Sequence, residues 1–473
     1  MARTVRPTTQ QGYAITGLTV RGFKSLSRQT SIELRPLTIL AGANSSGKSS
    51  IMQPLLMLKQ TLEATFEPGG LLLDGPNVRF TSVDQLLSRV PSGRTATGFD
   101  LTVELSGAVL STRFEKRPTQ GLIPVWMNWV DDFERTRMAL HMSKKQVESR
   151  IPDVLNRVAT AVQREKGVHS QWRIIQRRGF LCFELQSQET TAKQRLRNSL
   201  RTGLAGSLID APQVFDHSGA AMVQNHIRGL IHVPGLRGNP ERSYRSATAK
   251  YLFPGTFEPY VAGLINHWTS ADKRQLLRLT RDLRSLGLAW DIGVREVDDT
   301  RVEVYVSRLA RRQHGPLADS DRVSIADVGF GVSQTLPVVV ALLAAKPGQL
   351  VHVEQPEIHL HPRAQHALAD ILVRALKRGV RIVLETHSSV LLLAIQTQVA
   401  EMKLPRELVK LHWFTRTTGG VTKVISADLD EGGSFGDWPE DFGEISLKTK
   451  HRFLTASSFS KHGPPIPLTI HDD

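Results

Sequence analysis

The sequence predicts an α/β fold in which a mixed sheet with flanking helices is split by a long α+β insertion. A glycine-rich loop follows an apolar strand and opens a helix at residues 36–62. A second group of strands and helices occupies residues 321–425, and the segment between the two groups has a different pattern. With 473 residues, the chain is long enough for two or three domains.

We predict four parts from these patterns. Residues 1–99 form the N-terminal part of an α/β head, 100–320 a basic inserted α+β region, 321–430 the C-terminal part of the head, and 431–473 a polar tail. Strands are predicted at residues 13–20, 30–34, 36–40, 100–110, 300–306, 349–353 and 381–385. Helices are predicted at residues 138–165, 271–286, 332–345 and 362–378.

The composition is typical of a folded protein, with 40% apolar and 22% charged residues. The apolar runs are too short to span a bilayer, so we expect no membrane contact. The polar N-terminal stretch lacks the apolar centre of a secretory signal. The single cysteine, Cys182, excludes a disulfide within the chain. A cytoplasmic protein is the expectation.

The net charge of +15 favours polyanionic partners, and nucleic acid is the first of these. Basic residues concentrate at 164–201, within the predicted insertion. An arginine-rich composition also occurs in proteins that bind no nucleic acid. The charge therefore leaves both alternatives open.

The motif GANSSGKS at residues 42–49 matches the phosphate-loop pattern. Gly42 and Gly47 allow the backbone to wrap a phosphate, and the following helix directs its positive end at the same group. We expect Lys48 to reach the β- and γ-phosphates of ATP, and the Ser49 hydroxyl to ligate Mg²⁺. The strand before the loop and the helix after it argue against a chance match. The predicted nucleotide-binding residues here are Gly42, Asn44, Ser45, Ser46, Gly47, Lys48, Ser49 and Ser50.

The segment VHVEQPE at residues 351–357 has the pattern of a buried strand that ends in acids. Glu354 is the second candidate Mg²⁺ ligand, either directly or through water. The nearby His359 and His361 alternate like zinc ligands, but no second cluster completes a site. His387 ends the next strand, where it can bond the γ-phosphate or the attacking water. The alternative is a polar loop residue beside the following helix.

A second glycine-rich loop, DVGFGVSQ at residues 327–334, enters a helix and forms another anion site. Two subunits arranged head-to-tail, each with one phosphate loop and one such loop, would enclose two ATP molecules. This arrangement predicts a homodimer or a higher homo-oligomer. The expected contacts are Gly329, Gly331 and Ser333.

The order of these motifs resembles that of the SMC/RecF/OLD-like, ABC-type ATPases of the bacterial AAA family. The resemblance rests on residues 15–25, 37–49, 327–337, 354–362 and 386–388, with a Trp-Pro-containing tail at 429–443 and a weak match at 233–237. It implies an ABC-type head and ATP-driven dimerisation. It also implies a role in antiphage defence or DNA repair beside a separate effector, such as a nuclease. We expect no fused Toprim nuclease of the kind found in full OLD enzymes, because only about 85 residues of the sequence follow His387.

Two positions depart from that family's pattern. Gly329 stands where a serine is usual, and Gln355 stands where a catalytic carboxylate usually follows the first acid. An amide cannot take a proton from water, and loss of a general base typically lowers the rate by about 10²–10⁴. Three interpretations follow: slow hydrolysis with ATP as a dimer clamp, a base supplied by Glu357, or a residue changed to trap ATP. The candidate catalytic residues are Glu354, Gln355, Glu357 and His387.

We therefore expect an ATPase that acts as a switch or sensor with ATP and Mg²⁺. The alternative is a non-catalytic scaffold in which ATP is a structural ligand.

Overall fold

The computed structural model describes residues 14–89, 95–152, 155–157, 160, 169–188, 213–216, 218–246, 252–307, 309, 321–436 and 452. In chain order its strands are β1 (Ile15–Arg21), β2 (Thr30–Glu33), β3 (Leu37–Gly42), β4 (Gly98–Leu105), β5 (Ala108–Arg117), β6 (Gly121–Asp131), β7 (Arg135–Ala139), β8 (His169–Arg177), β9 (Phe180–Gln188), β10 (Gln213–Asp216), β11 (Ile231–Val233), β12 (Tyr244–Arg245), β13 (Asp291–Asp298), β14 (Arg301–Ser307), β15 (Arg322–Ser324), β16 (Leu350–Glu354), β17 (Arg381–Thr386), β18 (Val409–Arg416) and β19 (Thr422–Ala427). The described α-helices are α1 (Lys48–Glu63), α2 (Lys144–Glu148), α3 (Ser218–Gly229), α4 (Val261–Ser270), α5 (Lys273–Ser285), α6 (Phe330–Ala344), α7 (Pro362–Lys377) and α8 (Ser389–Ala400).

A central sheet in the order β11-β16-β17-β3-β18-β19 carries the predicted motifs. Its first five strands run parallel and β19 is antiparallel. The parallel strands β3, β16 and β17 are almost continuously apolar, as expected for strands covered on both faces. The fold class is confirmed as a mixed sheet with flanking helices.

The central sheet separates two hydrophobic cores. Ile39 and Ile382 face the core that contains α6, α7 and α8, whereas Leu40 and Val383 face the core that contains α1. This alternation follows from the two-residue period of a strand. The side chains on both faces of the sheet are thus fixed by packing. The edge at which the parallel strands end is fixed with them.

A second, antiparallel sheet in the order β2-β1-β4-β5-β6-β7 packs against the core around α1. The predicted boundary between residues 99 and 100 falls inside β4, which pairs with β1. From the predicted insertion, β11 joins the central sheet beside β16. The two parts of the chain therefore share sheets, and the four-part division stays a prediction.

The head elements of the sequence prediction are confirmed within a few residues, and two elements of the insertion are wrong. The single strand predicted at 100–110 is the hairpin β4–β5, because the chain turns at Gly107, whose φ is +86°. The helix predicted at 138–165 is wrong from its start, because Met138 lies in β7 opposite Met127. A short helix, α2, begins only after the capping box of Ser143 and Gln146.

Residues 169–188 of the basic stretch form the β8–β9 hairpin, and the rest of 164–201 lies outside the described residues. Arg173 pairs with Glu184, and Arg178 donates to Leu62 O at 2.6 Å. Both cations therefore make internal contacts. Of the predicted tail, only 431–436 and 452 are described. None of the described helices is both long and apolar enough to cross a bilayer.

Candidate nucleotide site

A cavity of about 750 Å³ opens where β3, β16 and β17 end at the same edge of the central sheet. Its volume lies in the range of small-molecule and cofactor sites, roughly 300–1,000 Å³. Residues 44–50 of the phosphate loop line one side. The other lining residues that matter below are Glu354, Gln355, Glu385 and His387.

The two glycines of the phosphate loop are required by geometry. Gly42 has φ +137°, and a Cβ there would lie 2.1 Å from Phe414 O. Gly47 has φ +100°, and its Cβ would lie 2.3 Å from Thr422 Oγ1. An L-residue side chain would clash at either position and would disfavour the positive φ. The loop is therefore pressed against β18 and β19 while its other side faces the cavity.

Lys48 is the first residue of α1, and its side chain curls back over the loop. Its Nζ donates to Gly42 O at 2.9 Å and to Ala43 O at 2.7 Å. Burial lowers the pKa of Lys48 to about 8, against the opposing charges of Glu385 and Glu357. The Lys48 ammonium group thus lies beside the loop backbone, and a phosphate bound to that backbone would also be close to the ammonium group.

Ser49, Glu385 and His352 form a line of contacts that runs from the cavity into the sheet. The Ser49 hydroxyl donates to Glu385 Oε2 at 2.7 Å, and His352 Nε2 lies 3.0 Å from Glu385 Oε1. His352 is fully buried. Burial lowers the pKa of His352, but the hydrogen bond and charge of Glu385 outweigh burial and raise it. Both carboxylate oxygens of Glu385 are thus held in place.

Glu354 has a parallel arrangement on the neighbouring strand. Its Oε1 lies 3.2 Å from His232 Nε2, and its Oε2 accepts from Gly235 N at 3.0 Å. Asn77 Nδ2 lies 3.0 Å from His232 Nδ1, so that nitrogen accepts and His232 Nε2 carries the proton toward Glu354. Burial raises the pKa of Glu354, but the His232 bond and the charge of His352 outweigh it, so the net pKa is lowered. Glu354 is therefore an anion.

The two histidines stack behind these carboxylates. The rings of His232 and His352 are 5.4 Å apart at their centroids and inclined by 9°. With Glu354 they form a group whose ligand atoms all lie within 4.8 Å of one another. Toward the cavity, however, the site offers the Ser49 hydroxyl and two carboxylates. Such oxygen donors suit a hard cation such as Mg²⁺.

Glu357 supports the loop that carries the predicted switch histidine. Its Oε1 accepts from Thr386 Oγ1 and from His387 N, both at 2.8 Å. Burial raises the pKa of Glu357, and these bonds oppose the rise. Glu357 does not line the cavity, whereas His387 does. Glu357 Oε1 therefore holds the loop of His387 in position.

Gln355 lines the cavity with a backbone φ of +44°, the left-handed region that a non-glycine residue rarely adopts. Its N–H donates to Glu385 O at 2.8 Å, which fixes this turn. The side chain of His387 is held neutral, because burial and then the charge of Lys48 lower its pKa. A neutral imidazole and an amide thus face the cavity together.

Arg237 connects the end of β16 to α6. One terminal nitrogen donates to Gln334 O at 2.8 Å, and the other donates to Glu354 O at 2.8 Å and Gln355 O at 3.3 Å. The side chain is almost fully buried. The backbone of the acidic strand end is therefore tied to the second glycine-rich loop.

The second glycine-rich loop lies away from this cavity. α6 begins at Phe330, whose side chain is 53% exposed and packs against the ring of His359. Ser333 lines a different cavity, of about 510 Å³, together with Arg237. The predicted contacts of this loop are thus outside the phosphate-loop cavity of the same subunit: Gly329, Gly331 and Ser333.

Sequence reasoning missed four residues that hold the site together. Glu385 directly precedes the Thr386-His387 pair, and its acidity at a strand end was the available signal. His352 lies inside the acidic strand, where its position in an apolar run gives no sign of a polar contact. The other two are His232, which directly precedes the weakly matching segment 233–237, and Arg237, which is the last residue of that segment.

Two family models of AAA domains match separate segments of the chain. Residues 14–149 match the family model described as an AAA ATPase domain, and residues 291–394 match one described as AAA domain, putative AbiEii toxin, Type IV TA system. No curated protein matches the chain.

Several solved structures are similar to the chain. One is an Smc head domain with an extended coiled coil bound to the C-terminal domain of ScpA, from Pyrococcus furiosus, with 12% identity over 94% of this chain and 100% of that one, at a TM-score of 0.43. Another is the Smc head domain with a coiled coil and joint from Pyrococcus yayanosii, with 12% identity over 93% and 100%, at 0.40. The SMC head domain from Thermotoga maritima matches at 12% identity over 87% and 98%, at 0.33.

Proposed function

We propose that this chain, which carries AAA ATPase domains, binds Mg²⁺ and ATP and acts as an ATP-gated dimeric switch with slow hydrolysis. One observation supports the proposal above all. The phosphate loop, Glu354 and His387 line one cavity, whereas the second glycine-rich loop lies outside it. A second subunit would supply the missing loop.

The residues of the cavity fit Mg²⁺ and ATP. The loop amides and the start of α1 suit a phosphate, and Lys48 lies beside them. Ser49 and Glu354 would hold Mg²⁺, which when bound would neutralise charge on the phosphates. Glu385 adds a second carboxylate in contact with Ser49. Each of these side chains is already positioned by bonds within the protein.

The dimer would form through the α6 loop. Phe330 at its tip is 53% exposed, and Leu236 near the acidic strand end is 93% exposed. Large apolar side chains with such exposure beside a functional loop suit an interface. Gly329, Gly331 and Ser333 of one subunit would then contact the ATP held by its partner.

The test combines calorimetry with sedimentation. We expect wild type to bind ATP and to dimerise with a non-hydrolysable ATP analogue, and Lys48→Ala to do neither. Phe330→Asp would bind ATP as a monomer, because this residue does not line the phosphate-loop cavity but would lie in the proposed interface. Leu277→Asp, another exposed apolar residue, is the matched control and would still dimerise. Dimers of Phe330→Asp, or dimers of wild type without nucleotide, would contradict the gating.

The positions of the carboxylates support the proposal of slow hydrolysis. Gln355 faces the cavity without a proton acceptor, and Glu357 is bonded to Thr386 and the His387 amide. Of the earlier interpretations, this arrangement favours ATP as a clamp over Glu357 as the base. Turnover would then limit how long the dimer persists.

A role in antiphage defence or DNA repair beside a separate effector rests on the resemblance to SMC/RecF/OLD-like ATPases. We expect phage plaquing, or survival after DNA damage, to change when the chain and its neighbouring genes are expressed. Lys48→Ala should abolish the change. If wild type and Lys48→Ala had equal effects, the process would not require ATP binding by this chain.

The alternative function is a non-catalytic scaffold, which Gln355 favours. In that case ATP stabilises the fold and no phosphate is released. Steady phosphate release that is lost in His387→Ala would exclude the scaffold.

A further inference from the structure

A strongly basic surface lies on α5 and the end of α7, away from the residues of the nucleotide cavity. On α5, arginines recur every three or four positions and so share one side of the helix. They are exposed, while Leu279 and Leu283 of the same helix are buried. α7 packs beside α5 and contributes further cations. We call these residues the arginine face: Arg274, Arg278, Arg281, Arg284, Arg374, Lys377 and Arg378.

The cations of this face are close enough to influence one another. Burial lowers the pKa of Arg378. The charges of Arg278, Arg281 and Arg374 lower it further, against the opposing charge of Asp282. Like charges held together disfavour the compact state unless an anion offsets them. The face therefore carries repulsion that a polyanion would relieve.

Little negative charge offsets the arginine face. Within the described part of the chain, its ion pairs all go to Asp282, which is 1% exposed. A single oxygen of that carboxylate accepts from Arg281 and from Arg374, each at 3.0 Å. The buried acid thus anchors two guanidinium groups and leaves most of the charge directed to solvent.

An aromatic side chain borders the face. Trp290 is 46% exposed, and the guanidinium carbon of Arg284 lies 5.7 Å from its ring centroid. An exposed indole beside cations is the combination that binds single-stranded nucleic acid, since bases stack on the ring while phosphates contact the arginines. An acidic polypeptide would form ion pairs with the arginines but has no nucleobase that could stack on the Trp290 ring.

The dimensions also fit a nucleic-acid backbone. At a rise of about 1.5 Å per residue, Arg274 and Arg284 are separated by about 15 Å along α5. A nucleic-acid strand carries one negative charge per nucleotide, so the α5 arginines can contact more than one phosphate of the same strand.

We propose that the arginine face binds single-stranded nucleic acid, with phosphates on the arginines and a base stacked on Trp290. The proposal deepens the nucleic-acid contact expected from the net charge, and it does not depend on ATP turnover. α5 lies within the basic insertion predicted at 100–320, although outside the basic stretch at 164–201, whereas α7 belongs to the predicted C-terminal part of the head.

The test is fluorescence anisotropy of the full chain with a labelled single-stranded DNA, without nucleotide and over a range of salt. Arg274→Gln/Arg278→Gln removes two phosphate contacts, so the slope of log affinity against log salt should fall by about 1.4, with an affinity loss of about tenfold or more at low salt. Trp290→Ala should weaken binding and leave that slope unchanged.

The matched control is Arg135→Gln/Arg137→Gln on β7, where Arg137 also lies over a tryptophan, Trp126. It removes the same charge from another surface and should retain wild-type binding. Thermal unfolding and ATP binding by calorimetry verify that each variant is folded, and they report separately on the nucleotide site.

Three results would overturn the proposal: no binding by wild type, equal losses in the two double variants, or no loss in Trp290→Ala. Displacement of the DNA by poly-glutamate at equal charge concentration would also overturn it, because the face would then accept acidic protein.

Discussion

The Ser49 hydroxyl donates a 2.7 Å hydrogen bond to Glu385, although 336 positions separate the two residues in the sequence. This contact joins the phosphate loop to the end of β17. It places a second carboxylate where Glu354 alone was expected to meet Mg²⁺. His352 holds the other oxygen of Glu385 from inside the sheet.

Glu385→Gln should weaken the dependence of ATP binding on Mg²⁺. The amide oxygen can still accept from Ser49, but the substitution removes a negative charge beside the expected metal position. Such changes typically cost about 10–100-fold in metal affinity or activity. Calorimetric titration of ATP at several Mg²⁺ concentrations measures this. Affinity in EDTA should be unchanged, and the surface variant Glu401→Gln is the control. An unaltered Mg²⁺ dependence would exclude Glu385 from the metal environment.

Gln355→Glu should accelerate ATP hydrolysis, because it places a proton acceptor at the position that lines the cavity. A recovered general base is worth about 10²-fold or more, and the assay is steady-state phosphate release. Gln186→Glu, on the exposed side of β9, controls for added charge. If the rate does not rise, Gln355 does not occupy the base position.

The buried pair Lys59 and Glu63 should stabilise the fold around α1. Lys59 is fully buried and bonds both Glu63 and Phe253 O, while Glu63 accepts from Gly255 N. Lys59→Met leaves the carboxylate unpaired and should lower the free energy of unfolding by about 3–5 kcal/mol. In urea denaturation, Lys59→Met/Glu63→Gln should lose less, since the amide keeps the Gly255 bond. Additive losses would contradict the pairing.

His412 should make the fold sensitive to acid. Its Nε2 donates to Glu33 O and its Nδ1 accepts from Ser426, both at 2.8 Å, so the bonded form is neutral. Burial lowers its pKa below the usual 6.5, and the charge of Lys410 adds to this effect.

As the pH falls below about 6.5, unfolded His412 takes up a proton before the folded residue does. The unfolded state then binds more protons, so the free energy of unfolding should fall by up to about 1.4 kcal/mol per pH unit. Urea denaturation between pH 5 and 7.5 measures the slope, roughly the window set by an ordinary histidine pKa. His412→Gln should have a smaller slope than wild type. Equal slopes would assign the acid sensitivity to other groups.

The parts of the site that could be predicted are those formed by contiguous sequence motifs. The phosphate loop, the acidic strand and His387 each combine a strand, a turn and a reactive side chain in a short segment. The chemical role of each segment can be predicted without knowing which strands are neighbours in the sheet.

The supporting residues could not be predicted because they depend on strand order and register. His232 lies opposite His352 when β11 pairs with β16, and Glu354 lies opposite Glu385 when β16 pairs with β17. No local pattern in the sequence specifies either of these pairings. The wrong helix at 138–165 has another cause, since the alternating residues of β7 gain their preference from the sheet beside them.

The position of β3 between β17 and β18 has a consequence for synthesis on the ribosome. Its hydrogen-bonding partners, Arg381–Thr386 and Val409–Arg416, emerge only after most of the chain has been made. Contacts of such long sequence separation form slowly, and their strands stay open to misassembly meanwhile. The sheet edge that carries the phosphate loop would therefore be complete only late in translation, after β17 and β18 have emerged.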